Sequence, residues 1–219
     1  MPEVIIRGVS SDLLLVPAAE FSIEEPWAVP SACQPARLRR STDGGAPRLA
    51  TSVAAYYDRE MLNILFSGTD DHVLANYRRH DEPLYEEDAV EVFLAPERLT
   101  EYFEIEVSPV GTTFDTRIES PDGVRQTMRG DLAWNCDGLF AGVRTVIESS
   151  GAMTVDTIIR LPFAALGRSR PENGETWRAN FFRIDRHPSE GDEFSAWQPT
   201  MRNPADFHVA AAFGRLRFV

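Results

Sequence analysis

From residue 48 onward, short β-rich runs of largely apolar residues recur, and turn residues separate the runs. The pattern predicts strands at 48–57, 61–68, 88–95, 101–108 and 112–119, then at 139–148, 153–161, 177–185 and 214–219. Asp58-Arg59-Glu60, Pro121-Asp122-Gly123, Ser149-Ser150-Gly151 and Asn173-Gly174 supply the breaks. Helical periodicity is scarce. The clearest candidate is 161–166 (LPFAAL), with Pro162 suited to a first turn, and 71–79 offers one or two turns in a loop. The expected fold class is all-β: an antiparallel, jelly-roll-like sandwich with one or two short helices in loops. Residues 26–47, rich in Pro and Gly, read as a long irregular connection. The segment before it is too short to fold alone and is expected to add a strand to the main sheets, so one domain over 1–219 is expected.

Composition narrows the partners. The chain has 219 residues, 43% of them hydrophobic and 26% charged, enough to bury a sizeable core. Its 22 Lys and Arg against 34 Asp and Glu give a formal net charge of −12. Such a surface repels nucleic acid and anionic membranes, whose binding draws on basic side chains. No apolar run reaches membrane-spanning length. The start, MPEVIIRGVSSDLLLVPAAEF, lacks a basic leading segment and is broken by Glu3 and Asp12, so it does not read as a secretory signal, and the compartment stays open. Two cysteines, Cys33 and Cys136, are too few for a disulfide scaffold or a cysteine-based zinc site, and either one bond or two buried thiols fits them. The histidines His72, His80, His187 and His208 fall in loops without the paired spacing of a zinc helix. There is no GxSxG, no Gly-rich phosphate loop and no Cys-His pairing.

The informative stretch is LYEEDAVEVFLAPERLTEYFEIEVS, residues 84–108. Successive side chains on a strand point to opposite faces, which puts Asp88, Val90, Val92 and Leu94 on one side and Ala89, Glu91 and Phe93 on the other. In the next strand Phe103, Ile105 and Val107 oppose Tyr102, Glu104, Glu106 and Ser108. A short link predicts an antiparallel hairpin, and its apolar faces must seal the core together, because a one-residue slip would bury the glutamates instead. Glu91, Glu104 and Glu106 are therefore expected on one outer face. Carboxylates accept hydrogen bonds from sugar hydroxyls and also suit a hard cation such as calcium, although a solvated strand face accounts for the pattern equally well. Tyr85, just upstream in PLYEED, is placed to stack on a pyranose ring.

YEEDAVEVFL, YFEIEVSPVGT, WRANFFRID, AWQPT and a closing FGRLRFV together resemble the family 9 carbohydrate-binding modules over residues 48–219. The resemblance implies a β-sandwich that binds mono- and oligosaccharides, often at a chain end, between two aromatic rings. Tyr85 matches one of those rings, a tryptophan in well-known members. Glu91 matches the acid that hydrogen-bonds the sugar, and Glu104 and Glu106 match two polar sugar-contacting positions. There this chain departs, with two acids where xylanase-linked members carry a basic residue and an amide. Phe207 and Trp197 compete for the second ring. The family holds structural calcium, which directs attention to Asp70-Asp71 and Glu86-Glu87-Asp88, where no spacing signature assigns ligands.

On strand 177–185, Trp177 is expected in the core, Asn180 is a polar candidate for the ligand, and Arg183 with Asp185 is expected to form an exposed pair. The expected role is non-catalytic binding of a small saccharide or glycan chain end, with no catalytic residues assigned and the oligomeric state unassigned. Two other classes are compatible with the residues: an interaction domain with no sugar ligand, and a glycoside hydrolase using two of the three glutamates. Acids two apart on one strand are separated by roughly 7 Å, which suits inversion, but they project in parallel instead of flanking a bond.

Overall fold

The computed structural model describes residues 12–219. The leading residues searched for a secretory signal lie, through residue 11, outside the described part. In chain order the strands begin with β1 (Leu13–Val16), β2 (Ala36–Arg37), β3 (Arg39–Arg40), β4 (Thr51–Tyr57) and β5 (Met61–Asp70). Next come β6 (Ala89–Ala95), β7 (Glu101–Val107), β8 (Thr113–Glu119) and β9 (Arg129–Asp131). The last are β10 (Phe140–Ile147), β11 (Met153–Pro162), β12 (Thr176–Asp185), β13 (Glu193–Ala196) and β14 (Gly214–Phe218).

They form two sheets. The larger runs β1-β14-β12-β6-β7-β8-β9, with β13 on β12 and β3 on β13, and the smaller runs β10-β11-β5-β4-β2. Among the described residues every strand-to-strand pairing is antiparallel except β1 with β14, so the leading segment does add a strand. Val53, Ile64, Phe66 and Ile159 of the smaller sheet meet Val92, Ile105, Phe181 and Leu216 of the larger in one buried cluster. Those side chains alternate along their strands because only one face of each strand can reach the facing sheet.

The nine strands expected from the β-rich runs and the turn residues between them are all present, within a few residues at their ends. Neither expected helix is. Pro162 closes β11 opposite Met61, and the chain then turns, because the register with β5 extends through that proline. Residues 72–78 are irregular. The described helical elements are single 3-10 turns at Leu84–Glu86, Arg125–Thr127 and Ala210–Ala212. The irregular connection covers the outside of the smaller sheet. Trp27 and Cys33 pack against Tyr56 and Ile158, and the Arg160 guanidinium lies 3.7 Å from the Phe21 ring centre.

Arg183 corrects an expectation. It is not exposed. It points toward the facing sheet and bonds Asp185 at 2.6 Å, Asp70 at 2.9 Å, the Thr51 hydroxyl at 3.1 Å and the Thr69 carbonyl at 2.6 Å. A guanidinium with several donors can saturate such a buried set, whereas a lone surface pair would contribute little.

Candidate functional site

The hairpin of β6 and β7 adopts the register its alternation dictates. Glu91 lies opposite Glu106, and Phe93 lies opposite Glu104. The three glutamates share one face, turned away from the core between the sheets. That face is not open to solvent, as the alternation alone suggested. Phe93, Tyr102, Phe182, Phe207 and Phe213 form a second apolar cluster over it. The segment leading into β14 returns across β6, β7 and β12 and roofs one side, leaving a cavity of about 770 Å³ on the other.

Glu91 and Glu104 belong to the floor of that cavity, and Glu106 lies wholly buried beside them. One oxygen from each of the three carboxylates falls within a set whose members are all within 4.8 Å of one another. Neither Glu106 oxygen makes a well-formed hydrogen bond, and neither does Oε1 of Glu91. Burial pushes the Glu91 and Glu106 carboxyls well above the ordinary range, and neighbouring glutamates push each further. Burial raises Glu104 to about 7, although Arg125 opposes the shift.

The walls supply rings and bases. Tyr85 stands at the rim, half-exposed, edge-on to Phe114 at 6.2 Å between centres. Phe207 also lines the cavity and is stacked on Phe182, with centres 4.1 Å apart and planes 14° apart. Arg125 and Arg186 also line the cavity, each held by a partner of its own. Arg125 pairs with Asp206 at 3.1 Å, and Arg186 bonds Asp192 and the Tyr85 carbonyl. His208 is bonded to the Tyr102 hydroxyl at 2.9 Å, with Nε2 3.8 Å from Glu104. Burial holds its imidazole down to about 3, so it is neutral at ordinary pH.

Of the residues singled out from the sequence, Tyr85, Glu91, Glu104 and Phe207 line one cavity and Glu106 underlies it. Two do not. Trp197 is buried between the sheets against Phe181, and its ring lies so close to Gly214 that a side-chain carbon there would sit 2.5 Å away. Asn180 is on the correct face, but its amide is consumed internally. It donates to the Gln198 carbonyl at 2.8 Å and accepts from the Phe181 and Gln198 N–H groups. The side chain is fully buried and does not line the cavity, so its remaining N–H does not face a ligand there.

Phe114, Arg125, Arg186 and Phe194 were missed. Phe114 shares a strand face with Thr116 and Ile118, so parity along β8 could have found it. Arg125 and Arg186 lie in connecting segments and carry no local signal.

The acidic junctions are likewise engaged. Asp70 meets Arg183, Asp88 accepts from the Leu74 and Arg186 N–H groups, and Glu86 accepts from the Tyr77 hydroxyl at 2.6 Å. Arginine, backbone N–H groups and the Tyr77 hydroxyl thus occupy these acids.

Comparison with known proteins adds the following. The family model described as carbohydrate-binding family 9 matches residues 43–218. A search of curated proteins finds no match. Among solved structures, a Bacteroides uniformis protein provisionally described as carbohydrate-binding superposes with a TM-score of 0.70 at 17% identity, covering 94% of this chain and 99% of its own. A family 9 module of Caldicellulosiruptor kristjanssonii, solved with cellotriose, gives 0.61 at 14% identity over 94% of this chain and 93% of its own. The same description with glucose gives 0.61 at 13% identity, over 94% and 95%. At these identities the superpositions establish the shared fold.

Proposed function

The chain belongs to carbohydrate-binding family 9, and on that premise we propose that its cavity holds a small saccharide or glycan chain end without cleaving it. One observation carries the reading: a cavity of about 770 Å³ with acceptor-only carboxylates on its floor and aromatic rings on its wall. That volume lies within the ~300–1,000 Å³ usual for ligand sites. A pyranose presents apolar C–H faces and a belt of hydroxyls. Tyr85 and Phe207 offer the former a surface, and Glu91 and Glu104 offer the latter acceptors. The cellotriose- and glucose-bound structures of the Caldicellulosiruptor module make gluco-configured sugars the first ligands to try.

The disposition of the acids supports binding without cleavage. A glycosidase places an acid and a base or nucleophile on either side of the scissile bond. Here all three carboxylates rise from one floor on two adjacent strands. The test is calorimetry with glucose, cellobiose and cellotriose on the folded chain, backed by a glycan array. Saturable binding that disappears in Tyr85→Ala and Glu91→Ala, with no turnover of aryl glycosides, is the expected result. An intact fold that binds no saccharide would favour an interaction domain. Turnover lost in Glu104→Gln would favour a hydrolase.

A further inference from the structure

We propose that Glu91, Glu104 and Glu106 together hold a divalent, oxygen-seeking cation of the calcium class in the floor of the cavity. The register makes the donor set. Glu91 and Glu106 are direct partners across β6 and β7, and Glu104 is two residues from Glu106 on the same face. Two ligands of one calcium ion, each ~2.3–2.6 Å from it, stand no more than about 5 Å apart. The three carboxylate oxygens meet that condition, all lying within 4.8 Å of one another. An all-oxygen set selects calcium or magnesium over zinc or copper. Calcium tolerates a one-sided, irregular arrangement such as a sheet provides, whereas magnesium demands a near-ideal octahedron.

Proximity of acids alone would not be enough. The second observation is that Glu106 is fully buried and neither of its oxygens makes a well-formed hydrogen bond, although the Tyr85 backbone N–H and the Glu104 carboxyl lie close by, and one Glu91 oxygen beside it is unpartnered. Buried carboxylates are tolerated when paired, hydrogen-bonded or on a metal. Among the described residues no arginine or lysine makes an ion pair with any of the three. Arg125 and Arg186 face the cavity but are tied to Asp206 and Asp192. The imidazole of His208 approaches Glu104 without a charge to offer. A cation would supply the compensation that the chain's own groups do not.

Glu91 and Glu104 also line the cavity, so the ion would be reached from solvent and keep coordination positions open on that side. A pair of neighbouring sugar hydroxyls could fill them. That extension rests on the sugar-binding reading; the metal site does not.

The test is a calorimetric titration of the chelator-treated full chain with calcium chloride at neutral pH, without sugar, alongside thermal melting, with magnesium chloride as comparator. The expected result is one saturable calcium site and a melting temperature raised by several degrees, since a ligand that binds only the folded state stabilises it. Glu106→Gln should abolish the site and Glu91→Gln should weaken it at least tenfold. Glu106→Gln keeps the size of the side chain and only removes its ability to ionise, so in EDTA it should melt no lower than the parent, which shows that loss of calcium binding is not loss of fold. The proposal is overturned if calcium leaves the parent's melting unchanged, because protons then satisfy the trio. It is equally overturned if Glu106→Gln binds calcium like the parent, because the ion then sits elsewhere. Failure of sugar binding alone leaves the calcium result standing.

Discussion

Glu91 and Glu106 face each other directly across two central strands of the larger sheet, both buried, in a position where an apolar pair would stabilise the sheet. Like charges opposite one another are destabilising on any sheet, more so out of water. The neighbouring pairs on the same face obey the usual rule: Phe93 stacks near Tyr102 at 5.7 Å and meets Phe182 edge-on at 5.0 Å. Local rules thus hold on one half of this face and are broken on the other. The broken half is the floor of the cavity. Departures of this kind concentrate where a fold carries its function.

Tyr85 and Trp197 should separate cleanly on substitution. Trp197→Ala removes a fully buried ring from between the sheets and should cost ~3–5 kcal/mol in urea denaturation. Tyr85→Ala removes a ring that is 48% exposed and should leave stability within about 1 kcal/mol while reducing sugar affinity roughly tenfold or more. Equal stability losses would show that Tyr85 is packing, not a platform.

Arg183 is the only positive charge bonded to Asp70, and it links that residue to Asp185 across the two sheets, among the described residues. Arg183→Ala leaves both acids buried with less compensation and should destabilise by ~3–5 kcal/mol. Lysine should not restore it, since one ammonium cannot reach Asp70, Asp185, Thr51 and the Thr69 carbonyl together. Denaturation midpoints of the two variants lying close together, well below the parent, are the expected outcome. Full rescue by lysine would argue for charge alone.

How much of this was legible beforehand depends on the range of the interaction. The facing of Glu91, Glu104 and Glu106 follows from alternation within 20 residues, because the apolar sides of both strands must seal the core. Their burial does not, because the roof comes from Phe207 and Phe213, about a hundred residues later, in a segment with one 3-10 turn and no strand pattern. Asn180 looked available until the Gln198 backbone took up its amide. Arg183 looked like half of a surface pair because three of its four partners, Thr51, Thr69 and Asp70, belong to strands of the other sheet. The expected helix at 161–166 had the composition of a turn of helix but lost to a strand register set by β5.

Both cysteines are free and buried, on opposite faces of the smaller sheet: Cys33 in the cluster outside it, Cys136 in the core between the sheets. A bond between them would have to pass through the sheet. Burial pushes the Cys33 thiol to about 11 and, with Asp115 nearby, the Cys136 thiol to about 12. Almost no thiolate exists at neutral pH, and the thiolate is the reactive form. A chromogenic disulfide reagent should label no thiol rapidly in the native chain and two in denaturant. A single fast native thiol would mean that one of these clusters opens.

Asp88 makes stability depend on pH in a stated direction. It sits where β6 begins and ties two segments together, accepting the Leu74 N–H at 2.6 Å and the Arg186 N–H at 2.7 Å. Burial nevertheless dominates, and with Asp185 and Asp70 nearby it raises the carboxyl from 3.8 to about 6. A folded-state value above the unfolded one means that the folded protein holds the proton more tightly. The contribution is therefore fully present below about pH 4 and is lost as pH rises through about 6. Asp88→Asn cannot titrate and leaves one backbone N–H without an acceptor, which should cost ~1–3 kcal/mol near pH 4. As pH rises toward 7 the parent loses stability that the variant keeps, so the gap between them should shrink by roughly 2–3 kcal/mol. Titration of the glutamates is common to both proteins and cancels in the difference. Urea denaturation of the pair at half-unit steps from pH 4 to 7 measures that gap directly. A gap that stays constant or widens would mean that the two N–H bonds, and not burial, govern the ionisation of Asp88.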